Sequence, residues 1–249
     1  MSNSFATGPK YILRGLSLIR EPKLRPFVLI PLLINTLLFA FLIWYGAAKF
    51  DEMMTEWFSH LPSWLAWLEW LLWPLFVIAA ILISVNLFTI IANLISAPFN
   101  SLLALRTEEH LTGNIVEESS NSLLEILKSI VPTILTEIGK IFYFVTRAIL
   151  LFIICLIPIV QVIAPFLWFL FGAWFLVMEY GDYPMANNDV AYDKQRGLMR
   201  KNRMTSLGFG GTLTFMTMIP ILNFLAMPTG VCGATALWVD EWQQQLDES

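Results

Sequence analysis

Four stretches of this chain carry no charged residue: 26–48, 70–105, 148–178 and 204–239. A bilayer core about 30 Å thick takes roughly 20 apolar helical residues to cross, and each of the four is longer than that. Charge is packed into the blocks between them, which is not how a soluble surface is made. Hydrophobic residues form 57% of the 249-residue chain, and the mean hydropathy is +0.67, too apolar for an ordinary soluble domain. The pattern predicts an all-α integral membrane protein built as a single membrane domain. The formal charge of −4 is too small to point to a partner.

The four runs are not alike. Residues 26–48 read as a conventional long helix, with Pro26 in the first turn, where a missing N–H costs nothing. Pro31 lies five residues further in and can kink the first turns. Trp44 and Tyr45 near the far end favour an interface. A loop is expected over 49–63, followed by Trp64, Trp67, Trp70 and Trp73. The second run, 70–105, would reach about 54 Å as one helix, so it must tilt, break or extend past the bilayer. The third run is cut by Pro158 and Pro165. The fourth is cut by Pro220 and Pro228 and carries Gly208, Gly210, Gly211, Gly230 and Gly233. The pieces before the first prolines, 148–157 and 204–219, read better as re-entrant than as spanning. "IPIVQVIA" at 157–164 is similar to "IPILNFLA" at 219–226, which sets Gln161 opposite Asn223. An amide among apolar residues suits a hairpin tip enclosed by protein at membrane depth. The expected architecture is two long transmembrane helices plus two re-entrant, hemi-penetrating helical hairpins. A six-span arrangement has the same loops and stays open.

Apart from Lys49, every Lys and Arg falls before residue 26, within 106–147 or within 194–203. The positive-inside rule places those blocks, and the N-terminus, in the cytoplasm. Residues 9–20, "PKYILRGLSLIR", read as an amphipathic basic helix at the membrane surface. The apolar run after them is too long for a cleavable signal. Residues 107–146 read as a cytoplasmic extension joining the two halves.

Within the second run, Asn86, Thr89, Asn93, Ser96 and Asn100 are spaced 3, 4, 3, 4 and line one helix face. Asn35 in the first run is their expected partner. Two readings are open: a water-accessible path, or polar packing between neighbouring helices. Arg106 and Glu109 follow at i, i+3, either as a pair at the cytoplasmic mouth or as a solvated face. Glu69, Glu109 and Glu179 are candidate proton carriers by location. Cys155 and Cys232 sit alone in apolar runs and read as packing residues. The chain has no P-loop, nucleotide fingerprint or nucleophile elbow. His60 and His110 fall on opposite sides of the expected topology. No enzyme, cofactor, metal site or nucleic-acid partner is expected.

The stretch "EPKLRPFVLIPLLIN" at 21–35 sets Lys23 and Arg25 at the threshold of the first long helix. The first turn leaves the N–H groups of Phe27, Val28 and Leu29 without intrahelical acceptors. About half a positive charge resides at such an end, and the two side chains add two more. Backbone donors with charge-assisted bonds can hold a tetrahedral oxyanion there. Membrane anchoring explains the same cations.

"GLSLIREPKLRPFVLIPLLIN" at 15–35 resembles the signature of the CysZ family of bacterial inner-membrane sulfate permeases. So do "LLWPLFV" at 71–77, "IANLISAPFNSLLA" at 91–104, "APFLWFLFGAWFL" at 164–176, "DYPMANN" at 182–188 and "FMTMIPILNFLAMPTGVCGATALWVD" at 215–240. The resemblance implies two long helices, two hemi-penetrating hairpins, assembly as dimers or higher homo-oligomers, and uptake of sulfate for cysteine biosynthesis. It places the sulfate site at a Pro-Gly-hydrophobic-Arg-Arg segment, on which Pro22, Leu24 and Arg25 match here; the candidate sulfate-binding residues are Lys23, Leu24, Arg25, Pro26 and Phe27. Lys23 stands where glycine is usual, and Pro26 where a second arginine is usual. Lys23 restores charge but removes the close backbone approach. A non-transporting scaffold or regulatory subunit is the alternative function.

Overall fold

The computed structural model describes residues 3–59, 74, 75, 77, 78, 96, 98–114 and 123–247. All secondary structure among them is helical. In chain order the helices are α1 (Thr7–Leu18), α2 (Arg25–Ser59), α3 (98–112), α4 (Leu123–Cys155), α5 (Pro158–Gln161), α6 (Ala164–Asn187), α7 (Tyr192–Lys201), α8 (Arg203–Met218) and α9 (Pro220–Leu237). A π-helical turn (Trp238–Trp242) and α10 (Gln243–Asp247) follow. Three stretches are long and apolar enough to cross a membrane: Arg25–Tyr45, Ala164–Asn187 and Leu222–Leu246. The chain divides into two compact units, one of Met1–Arg25 with Asn100–Ser249 and one of Pro26–Phe99.

In the second unit, α2 runs past the expected helix end at residue 48. The segment 49–59, expected as loop, is helical. "AAKFDEMMTEWFS" contains no glycine or proline to stop the helix and is rich in Ala, Lys, Glu and Met, which favour it. Lys49 and Glu52 pair at 2.6 Å across one turn. Pro31 lies within α2 without ending it. The outward side chains of the first part, including Leu29, Leu33, Leu37, Phe41 and Trp44, are exposed, as a lipid-facing helix requires.

In the first unit, proline sets where the hairpins turn. Ile157 and Ile219 are both extended, with ψ of 122° and 113°, because a following proline disfavours the helical region. Pro158 and Pro220 then open new helices from the first position. The two tips therefore share the Ile-Pro turn that the similar strings predict. They diverge afterwards: α5 stops at Gln161 and Pro165 opens the next helix, whereas α9 continues through Pro228. Gln161 and Asn223 are exposed rather than enclosed by the rest of the chain. α4 enters the first hairpin as one continuous helix, so the expected cytoplasmic segment and the hairpin arm are a single rod. Phe144 packs edge-on to Phe175 at 4.6 Å, and Lys140 meets Asp182 at 2.7 Å. These contacts zip α4 to α6 in antiparallel fashion.

Glycine sets how closely the helices cross. A Cβ on Gly15 of α1 would overlap the Thr229 carbonyl oxygen of α9, and one on Gly210 of α8 would overlap the Ala173 carbonyl oxygen of α6. Small residues let helix backbones approach where no water drives the packing. The apolar stripe of α1 (Tyr11, Ile12 and Leu18) is thereby buried against α8 and α9. The core of the unit is Leu24, Leu103, Val177, Met185, Met199, Phe209, Leu213 and Trp242.

Candidate functional site

Between α1 and α2 the chain makes a tight turn. The N–H groups of Leu24 and Arg25 donate to the Glu21 carbonyl at 3.0 and 3.1 Å. Leu24 is fully buried and anchors the turn, which leaves Lys23 and Arg25 exposed on either side of it. Arg25 Nε donates to the Arg20 carbonyl at 2.8 Å, fixing the guanidinium by one edge. α2 begins at Arg25, one residue earlier than Pro26 suggested. The first-turn donor without an intrahelical acceptor is therefore that of Phe27; the helical ladder assigns the Val28 N–H to the Leu24 carbonyl and the Leu29 N–H to the Arg25 carbonyl.

The polar stripe is partly described. Asn86, Thr89 and Asn93 lie outside the described residues. Ser96 is buried and accepts a hydrogen bond from Asn35 Nδ2 at 3.0 Å, the pairing expected from sequence. Asn35 Oδ1 is enclosed with no partner among the described residues. A buried amide oxygen costs about 1–3 kcal/mol when left unsatisfied, so this atom suits an added donor better than a dry helix seam.

Asn100 is buried and its Nδ2 donates to Tyr183 Oη of α6 at 3.3 Å. One residue on, Ser101 Oγ donates to Asn187 Oδ1 at 2.7 Å, and Asn187 Nδ2 returns a bond to the Ser101 carbonyl at 2.9 Å. Arg106 and Glu109 form an ion pair at 2.9 Å, the first of the two readings of that spacing. Of the other candidate carriers, Glu69 lies outside the described residues and Glu179 is exposed.

Sequence reasoning missed Glu108. Its carboxylate is buried, 3% exposed, and takes Asn188 Nδ2 at 2.9 and 3.2 Å on its two oxygens. Burial pushes its pKa up, and the Asn188 hydrogen bond opposes the rise only in part. The partners Tyr183, Asn187 and Asn188 all come from "DYPMANN", so the last turns of α6 serve as a polar rail for α3. Near the other end of the chain, Tyr11 Oη donates between Asp240 and Glu241 at 3.3 and 3.1 Å, and Arg14 pairs with Asp240. Burial first, and then the two carboxylates, push the Tyr11 hydroxyl well above its ordinary pKa. Among the described residues no cluster of His, Cys, Asp and Glu could hold a metal ion. Cys232 is buried against Thr107 at 3.4 Å.

The sequence pattern of the family described as Sulfate transporter CysZ/Etoposide-induced protein 2.4 matches residues 11–228. A protein of Pectobacterium atrosepticum named Sulfate transporter CysZ is 40% identical over 238 residues, which cover 95% of this chain and 86% of that relative. The match takes in the α1–α2 turn, both proline-capped hairpins and the polar rail of α6. This chain belongs to the Sulfate transporter CysZ/Etoposide-induced protein 2.4 family.

Proposed function

We propose that this protein takes up sulfate across the bacterial inner membrane, supplying sulfur for cysteine biosynthesis. The observation that carries the reading is the near-full-length similarity to a relative named for sulfate transport. The α1–α2 turn gives it chemistry. Arg25, held by the Arg20 carbonyl, and Lys23 present two exposed cations beside the start of α2, with Leu24 as anchor and Pro26 and Phe27 opening the helix. A guanidinium and an ammonium can each make charge-assisted bonds to a sulfate oxygen. Asn35 and Ser96, with Asn86, Thr89, Asn93 and Asn100, are proposed to line the path, and Arg106 with Glu109 its cytoplasmic mouth. Conduction is either channel-like or proton-dependent.

The hairpins are proposed to enter the bilayer without crossing it, as part of a homo-oligomer with the N-terminus in the cytoplasm. Lengths support this. At 1.5 Å per residue the uncharged arms 148–155 and 164–178 reach about 12 and 22 Å. The sixteen-residue α8 reaches about 24 Å. These fall short of a bilayer core of about 30 Å; Ala164–Asn187 and Leu222–Leu246, the second arms, are long enough to cross one, so the short uncharged first arms carry the proposal.

Purified protein alone, reconstituted in liposomes, should accumulate radiolabelled sulfate down its gradient. Liposomes no more permeable than empty ones would favour the scaffold reading and end the proposal.

A further inference from the structure

α4 carries Lys140, Tyr143 and Arg147 at helical spacing, and α7 carries Tyr192, Arg196 and Arg200 four residues apart. The two stripes meet at the base of the first hairpin. The Arg147 guanidinium lies 3.6 Å from the Tyr143 ring centre. That of Arg196 lies 4.5 Å from the Tyr143 ring and 5.8 Å from the Tyr192 ring. Lys140 Nζ is 5.6 Å from the Tyr192 ring.

Two carboxylates are seen to pair with its cations among the described residues. Asp182 pairs with Lys140 at 2.7 Å. Asp193 reaches Arg196 at 3.5 Å with its own side chain 93% exposed. Arg147 and Arg200 have no carboxylate partner among the described residues. Tyr192 Oη and Arg196 Nε are enclosed without any hydrogen-bond partner there. Burial alone would raise the Tyr143 hydroxyl, yet the neighbouring Trp174 and Arg200 side chains and the charges of Arg147 and Arg196 leave it lower than an ordinary tyrosine. Around the Tyr143 ring the cations thus outweigh burial, whereas burial raises the Tyr192 hydroxyl.

Position narrows the ligand. The cluster sits where the uncharged stretch 148–178 begins, and Ile141, Phe142, Val145, Ile149 and Leu150 beside it are exposed. Planar guanidinium forks match phosphate oxygens, and aromatic side chains stack well at a membrane boundary.

We propose that Arg147, Arg196, Arg200 and the Tyr192 hydroxyl form a phosphate-binding site at the base of the first hairpin. The phosphate is that of an anionic lipid headgroup or a free phosphate ion. It is separate from the α1–α2 turn, so it stands or falls independently of sulfate transport.

The test is native mass spectrometry of the full chain in detergent, titrated with phosphatidylglycerol in one arm and inorganic phosphate in the other. Saturable phosphatidylglycerol adducts are expected. They should fall at least fivefold in Arg147→Gln/Arg200→Gln, fall less in Arg147→Lys/Arg200→Lys, which keeps the charge without the planar fork, and persist in Arg25→Ala. Saturable inorganic phosphate lost in the same Gln variant, with no lipid retained, would uphold the site and assign it to the free ion. Absence of saturable binding of either ligand to the wild type would overturn it. So would equal binding by a folded Gln variant.

Discussion

Arg25 and Lys23 differ in how firmly they are held, and so in what their loss should do. The Arg25 guanidinium is tied by Nε to the Arg20 carbonyl, which leaves its outer edge pre-organised, whereas Lys23 is an exposed flexible ammonium. Arg25→Ala should weaken sulfate binding by about 1.5–3 kcal/mol, the scale of a hydrogen bond to a charged group, and Lys23→Ala by less. Calorimetric titration checks both, and unchanged affinity in the double variant removes the site from this turn. Glu108 gives a pH dependence. Its folded pKa is raised above an unfolded value of about 4.3, so the folded state holds the proton longer. The contribution is present below the unfolded value and is lost as pH rises through the folded one. Melting temperature should therefore fall as pH climbs from about 4, and Glu108→Gln should flatten that slope and stabilise the chain at neutral pH. An unchanged slope would mean that another group carries it. Spacing offered Arg106 with Glu109 as one of two readings, because i, i+3 is a local relation. It could not disclose Glu108, whose partner Asn188 is 80 positions away and which sits off the Asn–Thr–Ser face.

At the scale of helices, local chemistry was the readable part. Pro158 and Pro220 announce their turns because the constraint acts on the preceding residue alone. The uncharged runs 26–48, 148–178 and 204–239 announce helices because a chain that apolar must satisfy its backbone internally. The continuation of α2 to Ser59 was lost to the charges at 49–56, which resemble loop residues but are good helix formers. The seat of α1 was also hidden. An amphipathic stripe reports that a helix has one apolar face, not whether lipid or α9 covers it. The crossing at Gly15 distinguishes the two. Gly15→Val sets a branched side chain against the Thr229 carbonyl, and overpacking of that kind costs about 1–3 kcal/mol. Thermal unfolding in detergent should register it, while a helix lying only on lipid would tolerate the change. The hairpin tips have their own assay. Cysteines at positions 161 and 223 should resist membrane-impermeant reagents added from the periplasm. Ready labelling at both would make the hairpins full spans.

Across the whole molecule, the polar face and the order of the chain matter most. Asn35→Leu removes the donor to Ser96 and the enclosed, unpartnered Oδ1 together. If Asn35 serves passing sulfate through its Nδ2 donors, or through a water that donates to Oδ1, flux should drop while melting barely moves, because losing a polar wall group raises the barrier to a dianion. If the face is only a seam, flux should survive and stability shift by roughly 0.6 kcal/mol, the average for such bonds in membranes. The seat of α1 also fixes a sequence of events during synthesis. Gly8, Tyr11 and Gly15 find their partners in α8 and α9, and Arg14 finds Asp240, more than two hundred positions later. While the ribosome works through the intervening chain, α1 has nothing of its own protein to dock on. Its apolar stripe must wait on the lipid surface or on the insertion machinery. Completion of the fold is thus gated by α8 and α9, which are translated long after α1. A stop codon placed after residue 219 should leave a chain that inserts α2 yet is cleared by quality-control proteases, whereas the same stop placed after residue 247 should not.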